Sequence, residues 1–185
     1  MYNLDGIPQG WEVFRREVGF IKDENLKEFV KIVLEKAPTY FWRMSASSSG
    51  KYHPADDNLT GGLILHSKKV VNLARELAVA MEQEKYLDEL TVAGILHDFV
   101  KYGGGQTPNV KEFNEHGAKV ETYVRRVSLV PKDLEEKMKV VFDLCRTHYG
   151  IWSIQENKPV SRLQWVLFLA DYVVSRKNIR VEGVI

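Results

Sequence analysis

His97 and Asp98 stand side by side in AGILHDFVKYG (93–103), a segment whose periodicity is helical. Counting back from His97 in helical steps, Gly94, Leu90 and Leu87 form one apolar stripe, so the imidazole occupies a core position. Asp98 lies about 100° further round and reaches the same space between helices from the side. The pair offers a nitrogen and an oxygen ligand to a metal ion. A single His–Asp pair also fits a hydrogen-bonded core histidine, so what matters is whether the anomaly recurs.

It recurs on other helices. His66 falls on the stripe Leu63, Val70, Leu73, Leu77, Met81, and His148 ends the stripe Leu134, Met138, Val141, Cys145. Asp171 shares a face with Leu163, Leu167 and Val174, where an unpaired carboxylate would be costly to bury. His116 lies beside Val110, Phe113, Val120 and Val124, and Gly117 next to it would let another backbone approach closely. The imidazoles of His66, His97 and His148 and the two carboxylates, converging in this way with His116 at the edge, suit a divalent transition metal of mixed preference: Mn, Fe, Co, Ni or Zn.

The elements that must position these groups are helices. The spacing predicts them over 23–36, ended by Pro38, from an N-cap at Thr60 to Met81, and over 86–102, stopped by Gly103, Gly104 and Gly105. Three more are predicted over 109–127, from Pro131 to His148, and over 161–177. No internal repeat and no alternating strand pattern is present, so the expected fold is all-α, a compact multi-helix bundle. Residues 1–22, with Gly6, Pro8 and Gly10, read as an irregular arm docked on the domain. The loop over 39–60 is long enough to serve a site, and Arg43, Ser47, Ser48, Ser49, Lys51 and His53 are its candidate phosphate contacts.

At 185 residues the chain predicts one domain, and 44% hydrophobic with 28% charged residues is the balance of an ordinary globular protein. The net charge of +1 excludes a global field towards nucleic acid or membrane. The pairs Lys68–Lys69, Arg125–Arg126 and Arg176–Lys177 read as solvated helix faces. The lone Cys145 reads as a buried small hydrophobe in a reducing compartment, and neither a leader nor an apolar span is seen, so a cytoplasmic location is expected.

The ordered series His66, His97–Asp98, Asp171, set in GGLILHSKKV, AGILHDFVK and FLADYV, resembles the HD-domain superfamily of metal-dependent phosphohydrolases. The resemblance covers 59–178, leaving 1–58 as arm, packing helix and site-proximal loop of the same domain and 179–185 as a tail. It implies that His66, His97, Asp98 and Asp171 ligate one ion and that Lys101, in the HDxxK position, contacts phosphate. His116 and His148 are implied either to hold a second ion, bridged by Asp98, or to orient substrate and protonate a leaving oxygen. Thr147 departs from the two-metal pattern, which often has a histidine there, and the GYP of the cyclic-dinucleotide phosphodiesterases is missing.

The function expected from the resemblance is hydrolysis of a phosphoester of a nucleotide or related small molecule by a metal-bound hydroxide, falling off at acid pH. Asp98 would orient the water, while Lys101, Arg146, Arg43 and His53 hold the substrate. The upstream loop and GGLILHS are also similar to HD modules of 3′-to-5′ exonucleases and relaxases, so a nucleic-acid-end exonuclease or phosphodiesterase is one alternative. A non-catalytic nucleotide-binding module and a di-iron oxygenase are the others. Oligomeric state is left open.

Overall fold

The computed structural model describes residues 6, 8–47, 50–113 and 115–179. Among them are α1 (Arg15–Val18), α2 (Glu24–Leu34), α3 (Gly62–Ala80), α4 (Leu87–Leu96), α5 (His116–Val127), α6 (Glu135–Thr147) and α7 (Arg162–Val174), with 3-10 turns between several of them and no strand. The protein is all-α. None of the helices is long and apolar enough to cross a membrane.

Helix α3 is the centre of the bundle, packed on α4 and on α7, while α6 lies against both α4 and α5. The side chains in these seams are apolar: Leu63, Val70 and Val71 from α3, Leu90, Val92 and Ile95 from α4, Val141 and Cys145 from α6 are all fully buried. Residues 8–22 are not the irregular arm expected. A 3-10 turn (Trp11–Phe14) runs into α1, and Phe14, Val18 and Ile21 enter the same core as α2. Ser48 and Ser49 lie outside the described residues.

Local chemistry sets the helix ends. The Asp23 side chain accepts the Leu26 N–H and caps α2, and Ser161 with Gln164 forms a capping box on α7. Thr60 is not the cap of α3. Gly61, in the left-handed region, precedes that helix, and the carbonyls of Arg43 and Met44 accept the N–H groups of Gly61 and Leu63. Gly62 lets the 3-10 turn Asp56–Asn58 lie directly on the start of α3, since a Cβ there would come within 2.1 Å of the Asp57 carbonyl oxygen.

Three other boundaries differ from the sequence pattern. The helix expected to reach Tyr102 stops at Leu96, and residues 97–102 continue as tight turns, with Phe99 N–H on the Leu96 carbonyl and Lys101 N–H on that of Asp98. Phe99 and Val100 are nevertheless buried, so the apolar period runs on past the helix. The helix expected from 109 begins at His116, because Glu115 adopts φ 58° and interrupts it. Val110, expected inward, is exposed. Pro131 leads into a 3-10 turn (Lys132–Leu134), and α6 follows from Glu135.

Candidate metal centre

Three of the histidines share one device. His97 and His148 are the C-terminal caps of α4 and α6, and His116 is the first residue of α5. Each points Nδ1 at the carbonyl three residues back: His97 to Gly94 at 2.8 Å, His116 to Phe113 at 2.7 Å, His148 to Cys145 at 2.6 Å. A carbonyl only accepts, so each Nδ1 is the donor and Nε2 is the nitrogen left for a ligand. The ends of α4 and α6 leave carbonyls without amide partners, which His97 and His148 take up, and His116 does the same for the Phe113 carbonyl ahead of α5, each ring turning Nε2 inward.

Those nitrogens meet around Asp98. Its Oδ1 lies 2.7 Å from His116 Nε2 and 3.8 Å from His148 Nε2, while its Oδ2 lies 3.8 Å from His97 Nε2 and 4.0 Å from His66 Nε2. His66 Nε2 is 3.1 Å from Asp171 Oδ1 and 3.3 Å from His97 Nε2. His116 and His148 bring their Nε2 atoms to 3.1 Å of each other. Lone pairs aimed at one another at this range repel, and a cation between them removes the conflict. The spacing is about that of neighbouring ligands on one ion with bonds of roughly 2.1 Å. The donor set therefore fits a divalent metal.

The electrostatics agree with that reading. Burial pushes the His148 pKa down to about 3, and burial also lowers that of His97, so both rings are neutral and able to ligate. Burial works against charge on Asp98 and Asp171 too, yet the Lys101 ammonium outweighs it for Asp98, and His66 for Asp171, so both carboxyls stay ionised. For His66, Asp171 and Asp57 overcome burial and raise the pKa to about 9. Without a metal this ring is the proton carrier of the cluster.

A family model of the HD domain matches residues 63–175. The chain belongs to the HD-domain family. Searches of curated proteins and of solved structures returned no match. HD domains bind divalent metals and form a superfamily of metal-dependent phosphohydrolases. The matched HD span contains His66, His97, Asp98, Lys101, His116, His148 and Asp171, and leaves His53 and Asp57 outside it.

The remaining expected residues divide. Lys101 is buried, with Nζ 2.6 Å from Asp98 Oδ2, and both line a cavity of about 460 Å³ together with His116, His148 and Asp171. Ser47 and His53 line the same cavity. Arg146 does not: it pairs with Asp143 beside a separate hollow formed with Ala118 and Glu121. It sits one residue, about 100°, past the buried Cys145, which turns it to the outer face. Arg43 is also absent from the cavity wall, and its carbonyl serves the start of α3 instead.

One group of this HD centre was not foreseen. Asp57 is fully buried, takes the Lys69 ammonium on Oδ1 at 2.7 Å, and holds Oδ2 3.8 Å from His66 Nδ1 and 3.6 Å from His53 Nδ1. Lys69, expected in solvent, is thus buried between Asp56 and Asp57. A carboxylate behind a ligating imidazole orients the ring and raises its basicity. The only signal in the sequence was the acidic pair 56–57 ahead of GGLILH, in a loop where no period tells direction.

Proposed function

We propose that the chain is a metal-dependent phosphohydrolase acting on a phosphoester of a nucleotide or related small molecule, with one or two ions of Mn, Fe, Co, Ni or Zn. The observation that carries this reading is the position of Asp98, whose two oxygens face two different pairs of imidazoles. When bound, a divalent ion polarises a phosphoryl oxygen and lowers the pKa of a water molecule. His66, His97, Asp98 and Asp171 would hold one ion, and His116 and His148 with the other oxygen of Asp98 a second.

The rest of the site serves the phosphate. Burial disfavours charge on Lys101, but Asp98 outweighs it and raises the pKa, so the ammonium persists at the cavity wall. There it can grip a phosphoryl oxygen and offset the charge that builds on it. His53 stands on the wall beside His66, ring centres 5.1 Å apart, and can donate to the same group. A cavity of about 460 Å³ is within the usual range for small ligands.

The test is turnover of a panel of phosphomonoesters and phosphodiesters by the manganese-supplied chain and by Asp98→Ala, with circular dichroism as the folding control. Loss of an outer partner of a metal ligand costs about 10- to 100-fold, so loss of Asp98 itself is expected to cost more than about 100-fold. Undiminished turnover by a folded Asp98→Ala protein would remove the assignment.

A further inference from the structure

The cavity has a second wall that the hydrolytic groups leave unused. Trp152 and Tyr172 stack with ring centres 5.6 Å apart and planes 18° from parallel. The Arg176 guanidinium lies 4.2 Å from the Tyr172 ring centre, 5.4 Å from that of Tyr52 and 6.0 Å from that of Trp152. All four side chains line the cavity. Yet Tyr52 is 59% exposed, Trp152 53% and Tyr172 36%. Large rings gathered in a cavity and left this open mark a surface that receives a ligand.

The placement ties this wall to the metal centre. Asp171 and Ser175 share one face of the last turns of α7, with Ser175 Oγ 3.3 Å from Asp171 Oδ1. Tyr172 follows Asp171 by one residue and so lies on the adjoining face of α7, and Arg176, just past the helix end, lays its guanidinium over the Tyr172 ring. On the other side, Lys177 N–H donates to the Tyr52 carbonyl at 2.7 Å and pins the loop carrying His53 to the end of α7. The rings and the histidine cluster therefore face one cavity, with Tyr172 the chain neighbour of Asp171.

The chemistry selects the ligand class. An aliphatic chain would have to lie against the Arg176 charge, and a bare sugar has no π face for the guanidinium plane to stack on. A heterocyclic base stacks both on these rings and on the plane of the Arg176 guanidinium. We propose that Tyr52, Trp152, Tyr172 and Arg176 form a base-stacking subsite for the nucleobase of a phosphoester whose reacting phosphate sits at the histidine cluster. The subsite takes the base as a flat ring, so it tolerates purine and pyrimidine alike. This rests on the phosphohydrolase reading of the neighbouring centre. A free nucleotide and the terminal nucleotide of a single strand present the same chemistry.

The experiment is calorimetric binding to the full, manganese-loaded chain of hydrolysis-resistant 5′-thiophosphates of adenosine, uridine and ribose, and of a phosphorothioate thymidine tetranucleotide. Both nucleoside thiophosphates are expected to bind at least about fivefold tighter than ribose 5-thiophosphate, the lower limit for one stacked base. Trp152→Ala should erase that preference and Trp152→Phe should keep most of it. Tetranucleotide binding tighter than mononucleotide binding identifies a strand end as the source, and equal or weaker binding a free nucleotide. Equal affinity for the ribose and nucleoside ligands, or a preference untouched in Trp152→Ala, would overturn the subsite. A base preference without turnover of any ester would leave the subsite standing and remove the hydrolase reading. Turnover without a base preference would do the reverse.

Discussion

At the scale of residues, the site is an arrangement of lone pairs set by backbone carbonyls. His97, His116 and His148 each spend Nδ1 on a carbonyl and aim Nε2 at Asp98, an orientation set by the fold alone and the one that metal ligands would need. His66 differs, since carboxylates surround it and raise its pKa to about 9. A raised histidine pKa stabilises the metal-free fold fully below about 6.5, and this contribution fades as the pH climbs through about 9. An ion must displace that proton. Metal affinity is therefore expected to rise about tenfold per pH unit between about pH 7 and 9, with one proton released. Calorimetric titrations in buffers of different ionisation enthalpy measure both, and a flat profile without proton release would contradict the His66 assignment.

Asp57 supplies a second prediction at this scale. Asp57→Asn keeps the shape but removes the charge behind His66, and metal affinity is expected to fall about 10- to 100-fold. A competition titration with a chelating dye reads this, and unchanged affinity would leave Asp57 as a partner of Lys69 alone. His66, His97, His148 and Asp171 were legible because each is polar on an otherwise apolar stripe, and Asp98 and His116 because each adjoins one. Asp57 was not, because a loop has no stripe. Arg146 was misplaced because nearness in sequence to His148 says nothing about the face, and the helix turns it outward.

At the scale of elements, the second half of the cluster depends on how closely α5 and α6 meet. A Cβ on Gly117 would come within 2.1 Å of the Cys145 carbonyl oxygen and 2.8 Å of His148 Nδ1. Gly117→Ala must push the helices apart, at about 1–3 kcal/mol for an overpacked contact. The expected result is a Tm lower by several degrees and a larger loss of metal at His116 and His148 than at His66 and His97. Thermal melts with metal titration test this, and an unaltered Tm would show that the contact yields freely. Helix existence was legible from apolar period, but helix ends were not. Phe99 and Val100 keep the period while their hydrogen bonds have already tightened into turns, because the period reports burial and not bonding.

At the scale of the molecule, one core serves one centre. Helix α3 carries His66, and its contacts with α4 and α7 bring His97, Asp98 and Asp171 to it, while α6 touches α4 and α5 and adds His148 and His116. The HD match over 63–175 covers this ring of helices, and the segment before it adds Phe14, Val18 and Ile21 to the core and Asp57 to the site. All-α architecture followed from the absence of any two-residue alternation. The aromatic wall was beyond reach, because Tyr52, Trp152 and Tyr172 come from three separate segments and meet only in the folded chain.

The most direct test of the centre is elemental analysis of protein purified without chelator, comparing the unaltered chain with His66→Ala and His148→Ala. Asp98 spanning two imidazole pairs predicts two equivalents of a divalent metal, with His148→Ala losing one and His66→Ala losing the other or both. One equivalent, lost with His66→Ala and indifferent to His148→Ala, would contradict the bridging role of Asp98. No bound metal after manganese, nickel or iron is supplied would contradict the metal centre itself.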